Sequence, residues 1–160
     1  MNFDNVGNSI YIGPPVGDEL IKQAERALGV RLPTSYLDLL RAQNGGTLRN
    51  RCLPTSFPTS WASDHICIDV ILGVGGAWGI DLVSPRAIAE WEYPEIGVVF
   101  GITPSAGQDT VMLDYSECGP EGDPAVSYID EDRIPRRVAG SFAEFLNGLV
   151  SCQAYGSEAD

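Results

Sequence analysis

The chain has 160 residues and a mass of 17.2 kDa, the size of a single domain, and 44% of its residues are hydrophobic, enough for a packed core. Twenty-two acidic residues against 10 basic ones give a net charge of −12, which argues against binding to DNA or RNA. No run approaches the ~18 apolar residues of a membrane span. The first residues carry neither the basic nor the apolar region of a secretory signal. We therefore expect one acidic cytoplasmic domain, spanning residues 1–160, with no membrane or nucleic-acid partner.

The first part of the chain predicts an irregular lead-in followed by two helices. A short strand is expected at residues 9–12. Asp18 is a suitable N-cap for a helix that ends at Leu28, where a glycine follows. A second helix is expected from Pro33 to a glycine-rich turn at residues 44–46. The apolar stripe of the first helix consists of Leu20, Ile21, Ala24, Ala27 and Leu28.

The middle of the chain predicts a strand, a short helix and then a meander of strands. The β-branched residues at 65–72 are typical of a strand. Ser84 can cap a short helix that runs from Pro85 to Trp91. Three further strands are separated by short loops, which favour antiparallel pairing because a parallel crossover needs a dozen or more residues. These strands are expected at 96–100, 110–115 and 125–129.

The end of the chain predicts one more helix and a polar tail. Ser141 and Glu144 form a capping box at the start of that helix, which faces the core with Phe142 and Phe145. Residues 154–160 are the polar tail. Because the helices and strands are segregated along the chain, the sequence predicts an α+β fold.

The acidic residues are concentrated in one third of the sequence. Residues 81–132 hold 12 acidic side chains and a single basic one, Arg86, whereas the rest of the chain is nearly neutral. Such a segment either keeps the protein soluble or forms a surface that attracts a basic partner. Both interpretations stay open at this stage, because residues close in sequence need not be close in space.

The four cysteines predict ordinary reduced thiols. They are Cys52, Cys67, Cys118 and Cys152, and no two of them have the C-x-x-C spacing of a structural zinc site. Without a secretory signal, we expect small, partly buried apolar side chains in a reducing compartment.

Two groups of motifs stand out along the chain. The opening motif consists of Ala24, Ala27, Leu28, Gly29, Leu32, Pro33, Tyr36, Leu39, Leu40 and Asn44-Gly45-Gly46. The later motifs are Glu90-Trp91, Phe100-Gly101, Gly107 with Asp109, Val111 with Leu113 and Asp114, Val138-Ala139, and Ser141-Phe142 with Glu144-Phe145-Leu146. Together these motifs resemble the SUKH superfamily, also called the Smi/Knr-like family. The resemblance covers about residues 18–150, and the chain departs from the pattern at 50–64 and 73–79.

The resemblance implies helices packed on a twisted, mostly antiparallel β-sheet. It also implies a non-catalytic function, because bacterial members of the superfamily act largely as immunity proteins that bind and neutralise secreted toxin domains, many of them nucleases. No catalytic motif of the family can be transferred to this chain.

The residues themselves offer little support for an enzyme. The single lysine, Lys22, lies in the first predicted helix, so no phosphate-binding P-loop is present. The glycines at 73–79 do not have the G-x-G-x-x-G spacing of a dinucleotide site. A hydrolase would depend on His65, the only histidine, which shares one side of a strand with Cys67. The carboxylates at 121–123 and 130–132 could also bind Ca²⁺ or Mg²⁺, but no calcium-binding loop motif is present. Glycoside hydrolysis needs two carboxylates in a sugar-binding cleft, which the sequence does not show.

The leading hypothesis is therefore a binding module that neutralises a basic toxin domain, such as a nuclease, through an acidic surface. Loop tryptophans are added as candidate contacts because tryptophan is enriched at interface hot spots. The alternatives are a regulatory or scaffold protein with a non-toxin partner, and a hydrolase that uses His65. We expect no cofactor and no metal, and a monomer or weak homodimer. The candidate partner-binding residues are Trp61, Trp78, Glu90, Glu92, Glu95, Asp109, Asp114, Glu117, Glu121 and Asp123.

Overall fold

The computed structural model describes residues 2–4, 10–60 and 62–155, and it has the α+β architecture that the sequence predicts. A 3₁₀ helix follows the last α-helix at Cys152–Tyr155. Within the described residues the α-helices are α1 (Asp18–Leu28), α2 (Thr34–Ala42), α3 (Ile80–Trp91) and α4 (Phe142–Gly148).

In the part of the chain that the structure describes, nine short strands form three sheets, and every strand pair is antiparallel. The largest sheet has the strand order β5-β7-β8-β9, a second has β1-β4-β6, and β2 pairs with β3. The strands are β1 (Gly46–Thr47), β2 (Cys52–Pro54), β3 (His65–Cys67), β4 (Val70–Ile71), β5 (Gly97–Val99), β6 (Gly101–Ile102), β7 (Thr110–Asp114), β8 (Ala125–Ile129) and β9 (Pro135–Ala139).

The main core lies where α4 packs against the sheets and α2. Phe142 is fully buried, and its ring makes edge-to-face contacts with Tyr36 of α2 and with Phe100. Phe145 packs edge-to-face against Phe100 as well. Ser141 caps α4 as predicted, because its Oγ accepts a hydrogen bond from the Glu144 amide at 3.1 Å. The Glu144 carboxylate reaches back one residue further than in a capping box and accepts from the Gly140 amide at 2.9 Å. Local signals in the sequence therefore position the helix that completes the core.

Helix α3 is longer than the sequence predicts. It begins at Ile80 rather than after Ser84, and Pro85 lies inside it. Ser84 is buried and does not cap the helix; its Oγ accepts a hydrogen bond from the amide of Val99 in β5 at 2.9 Å. The helix therefore begins about one turn earlier than Ser84 and Pro85 predict, and Ser84 contacts β5 instead of capping the helix.

The single strand predicted at 65–72 is two strands in different sheets. β3 pairs with β2, whereas β4 pairs with β1 and β6. Between them the backbone changes partner, because the Ile68 amide donates to Arg51 O and the Asp69 amide donates to Ile102 O. A continuous run of β-branched residues does not reveal such a change.

Two smaller predictions also differ at the N-terminal side. Gly17 occupies the N-cap position of α1, so Asp18 is the first helical residue and not the cap. The strand predicted at 9–12 is not present in its described part, because Ile10 and Tyr11 lie in a turn. Ser9, its first residue, lies outside the described residues. The C-terminal end of α1 is as predicted, with Gly29 in the left-handed conformation (φ 70°).

The prediction of four reduced thiols is wrong, because Cys52 and Cys152 form a disulfide. After α4 the chain returns beside β2, where Cys52 and Val150 exchange both backbone hydrogen bonds at 3.1 and 2.7 Å. This pairing brings the two Cα atoms to 5.2 Å across a sequence separation of 100 residues. Spacing along the sequence could not show that proximity. Cys67 and Cys118 remain thiols.

Candidate protein-binding site

An open groove of about 770 Å³ lies between α1 and α3, and we call it the α1–α3 groove. Its other walls come from the connection between α3 and β5 and from the β7–β8 loop. The aliphatic side chains of its lining include Ala27, Leu28, Val30, Ile88, Ala89 and Ile96. A groove of this kind can accept an apolar side chain or a turn from another protein.

The groove exists because the apolar stripe of α1 is only partly covered. Ile21 and Ala24 are buried, whereas Ala27 is exposed and Leu28 is half-buried. After α1 the chain turns away from α3, and the turn is held by two bonds of Arg31: its amide donates to Pro120 O, and its carbonyl accepts from Tyr115 Oη, each at 2.7 Å. The end of the stripe therefore also lines the groove, where Ala27 is exposed and Leu28 is shared between the groove and the edge of the main core.

The charged lining of the groove is acidic. Glu92 and Glu95 line it and are exposed, and among the described residues that line it none is basic. Glu92 ends α3 in the left-handed conformation (φ 57°), which turns the chain towards β5. A shallower depression shares Val30 and Pro120 with the groove and adds Glu25, Glu121 and one base, Arg31. The combined surface therefore has an excess of negative charge beside apolar side chains.

Asp109 does not belong to this surface, although its place in the acidic segment predicts a contact with the partner. Its side chain is buried, with 3% exposure. One carboxylate oxygen accepts hydrogen bonds from Thr103 Oγ1 and Ser105 Oγ, both at 2.5 Å, and the other accepts from the hydroxyl of Tyr128. A buried carboxylate with three hydroxyl donors serves the fold and cannot reach a partner.

Two other predicted contacts, Asp114 and Glu117, have partners within the protein. Asp114 is half-buried and accepts hydrogen bonds from Ser116 Oγ at 2.6 Å and from Ser127 Oγ at 2.7 Å. Partial burial raises the pKa of Asp114, but the hydrogen bonds from Ser116 and Ser127 and the charge of Arg137 outweigh it and lower this pKa overall. Glu117 is exposed and forms an ion pair with Arg137 at 2.8 Å.

Asp114 predicts a specific acid sensitivity. Since its pKa is lower in the folded state than in the unfolded state, its contribution to stability is present above the usual carboxyl pKa of 3.8 and is lost as pH falls below that value. We expect Asp114→Asn to flatten the acid side of the curve of unfolding free energy against pH, measured by urea titration. The exposed Asp123→Asn is the control, and an equal flattening in both variants would contradict the assignment.

Bases outside the acidic segment fold against it and neutralise part of its charge. Arg136 pairs with Asp132 at 2.7 Å, which contributes to lowering the pKa of Asp132 to about 2. Arg133 donates to Trp91 O at 3.0 Å and to Gln108 O at 2.6 Å, so it lies at the C-terminal end of α3. The negative charge that is concentrated at residues 81–132 in the sequence is therefore partly balanced by neighbouring arginines in the folded protein.

The remaining predicted contacts are distributed over several surfaces. Glu90 is exposed on α3 but does not line the α1–α3 groove. Asp123 is exposed and lines a separate cleft beside Ser141. Trp78 is 37% exposed and stacks edge-to-face on Tyr11, in a pocket that shares no residue with the groove. Trp61 lies outside the described residues.

The surroundings of His65 do not favour a hydrolytic site. His65 is buried, its Nδ1 lies 2.9 Å from Asp64 Oδ1, and its ring stacks on Tyr155 at 3.9 Å. Burial and the adjacent Asp69 raise the pKa of the Cys67 thiol to about 12. A nucleophilic cysteine requires the opposite shift.

Sequence reasoning missed the apolar half of the site and Glu25. Ile88 and Ala89 do not stand out within the short helix that the sequence predicts, and Ala27 is one residue of the apolar stripe predicted for the first helix. A usable signal was nevertheless present, because α1 carries its apolar stripe to its last residue and a glycine then turns the chain away.

The amino-acid sequence matches the model of a known protein family. The SUKH_6 family, described as SMI1-KNR4 cell-wall, matches residues 18–146, most of the chain. The chain belongs to the SUKH superfamily. A comparison with curated proteins found no match. Membership fits a non-catalytic, immunity-type role and agrees with the observed α+β fold. Of the helices in the described residues, none has the length and apolar character needed to span a bilayer.

Proposed function

We propose that this SUKH protein is a non-catalytic binding module that neutralises a basic toxin domain, such as a nuclease, by docking it on the α1–α3 groove. The observation that carries the proposal is the combination of uncovered apolar side chains with Glu92 and Glu95 in one groove without a basic lining residue among those described. A nuclease must attract phosphate, so its active cleft is basic and complementary to such a surface.

The two halves of the groove have different tasks in this proposal. Exposed carboxylates attract the partner over a distance and accelerate association, and salt screens this effect. Apolar contacts with Leu28 and Ile88 slow dissociation, because a few well-packed side chains carry most of the binding energy of an interface. Affinity and association rate should therefore respond to different substitutions.

Charge reversal on the groove tests the electrostatic half. We expect Glu92→Lys/Glu95→Lys to slow association with the cognate domain by about tenfold at low salt and to weaken the salt dependence, with a smaller change in dissociation. The ligand is the purified C-terminal domain of a large secreted protein encoded beside the gene, and the rates are measured by surface plasmon resonance. Asp38→Lys/Glu131→Lys changes the net charge equally at exposed sites outside the groove.

A second pair of variants tests the apolar half. Ala89→Trp fills the groove from an exposed position on α3, so it should accelerate dissociation without loss of core contacts. Ala143→Trp on the exposed face of α4 is the matched control. Equal effects of the groove variants and their controls would show that the partner binds elsewhere, and no association with the neighbouring toxin domain would refute the immunity function itself.

A further inference from the structure

Three of the four cysteines meet in one buried cluster. Cys52, Cys67 and Cys152 are each at most 1% exposed, and their sulfur atoms all lie within 4.8 Å of one another. Cys52 is directly opposite Cys67 in the β2–β3 ladder, and Cys152 reaches them from the 3₁₀ helix. Three separate segments therefore supply the sulfurs, which is why no short-range C-x-x-C motif is needed.

The dimensions of the cluster suit a thiolate-bound metal ion. Zinc bonds to thiolate sulfur at about 2.3 Å in a tetrahedral arrangement, which places the sulfurs about 3.8 Å from one another. Cys67 Sγ lies within 4.8 Å of both sulfurs of the Cys52–Cys152 disulfide, and those two sulfurs must move apart to the zinc-bound spacing once the disulfide is reduced. Soft thiolate ligands select zinc over magnesium or calcium, and a water molecule would complete the tetrahedron beside the three sulfurs.

The electrostatic surroundings also favour a cation. Asp69 Oδ1 lies 3.7 Å from Cys67 Sγ, which places a carboxyl group directly beside the cluster. A divalent ion removes the proton from a thiol that coordinates it, and a neighbouring carboxylate attracts that ion.

We propose that the reduced protein binds one Zn²⁺ through the thiolates of Cys52, Cys67 and Cys152, a site distinct from the α1–α3 groove. In the oxidised form the Cys52–Cys152 disulfide occupies two of the three ligands and excludes the metal. A dithiol or phosphine reductant supplies two electrons, and each released sulfur takes up a proton. Binding of Zn²⁺ then displaces one proton to solvent from each of the three thiols.

Zinc titration of the full chain tests the site. The protein is reduced with a phosphine under anaerobic conditions, and Zn²⁺ is added in competition with a chromophoric chelator. We expect one zinc per reduced chain and none per oxidised chain. Zinc affinity should be at least about tenfold weaker in Cys67→Ser, because removing a metal ligand should lower the affinity at least as much as removing a residue that only supports a ligand. Co²⁺ in place of Zn²⁺ should give thiolate-to-cobalt charge-transfer bands that weaken in the same variant.

Cys118→Ser is the matched control, because Cys118 is exposed and outside the cluster. Cys67→Ser keeps the disulfide, so its fold can be verified by circular dichroism before reduction. Zinc should also protect three thiols of the native-like reduced chain from alkylation while Cys118 continues to react. The proposal is wrong if the reduced protein takes up no zinc, if only unfolded chains do, or if Cys118→Ser loses as much affinity as Cys67→Ser.

Discussion

Replacement of Asp109 by alanine is expected to lower the free energy of unfolding by about 3–5 kcal/mol while the binding surface of the remaining folded protein is unchanged. The carboxylate accepts hydrogen bonds from Thr103, Ser105 and Tyr128, and Tyr128 is fully buried. Alanine would leave those hydroxyls in the interior without this acceptor. Urea unfolding followed by fluorescence gives the change in stability.

Two further variants make the Asp109 prediction specific. Asp109→Asn keeps one acceptor oxygen and should lose less stability than Asp109→Ala. Asp123→Ala removes an exposed carboxylate and should change stability by no more than about 0.5 kcal/mol. If Asp109→Ala were as stable as the parent protein but bound the toxin domain more weakly, its assignment to the fold would be wrong and the original interface prediction would return.

Loss of the Cys52–Cys152 disulfide is expected to have a comparable effect. The bond joins residues 100 positions apart, and closing a loop of that length restricts the unfolded chain by roughly 4–5 kcal/mol in the chain-entropy account. Cys152→Ser, unfolded in urea without reductant, should therefore have a clearly lower transition midpoint. The 3₁₀ helix should loosen with it, since Tyr155 of that helix stacks on His65.

Cys118→Ser controls for the removal of a thiol as such, because its side chain is exposed. A phosphine reductant should lower the midpoint of the parent protein, in the absence of zinc, to near that of Cys152→Ser, and should have little effect on the variant. An unchanged midpoint in Cys152→Ser would mean that the backbone pairing of Cys52 with Val150 is sufficient to hold the C-terminal segment.

The predictions that succeeded depend on residues close together in the sequence. The end of α1 at Gly29 and the start of α4 at Ser141 follow from capping chemistry within one turn of helix. The β7 and β8 strands follow from apolar runs joined by a short loop. The edge strand β9 was missed because it begins with Pro135 and carries Arg136 and Arg137, which are typical of protected edges and not of central strands.

The candidate site was predictable only in its charge. Glu92 and Glu95 were selected from an acidic segment, and both line the groove. From the same segment the fold buries Asp109 and pairs Glu117 with Arg137. The sequence does not distinguish these carboxylates, because Asp109 meets Tyr128, and Glu117 meets Arg137, only when the strands pair.

By itself, then, the sequence determined the α+β class and several helix ends, since caps, turns and apolar periodicity act over a few residues. Its motifs carried the resemblance to the SUKH superfamily. Only the tertiary structure decided which apolar side chains stay uncovered beside Glu92, and that Cys52 meets Cys152. Such contacts join residues far apart in sequence, and their formation depends on how whole elements pack. The binding groove and the cysteine cluster are both of this kind.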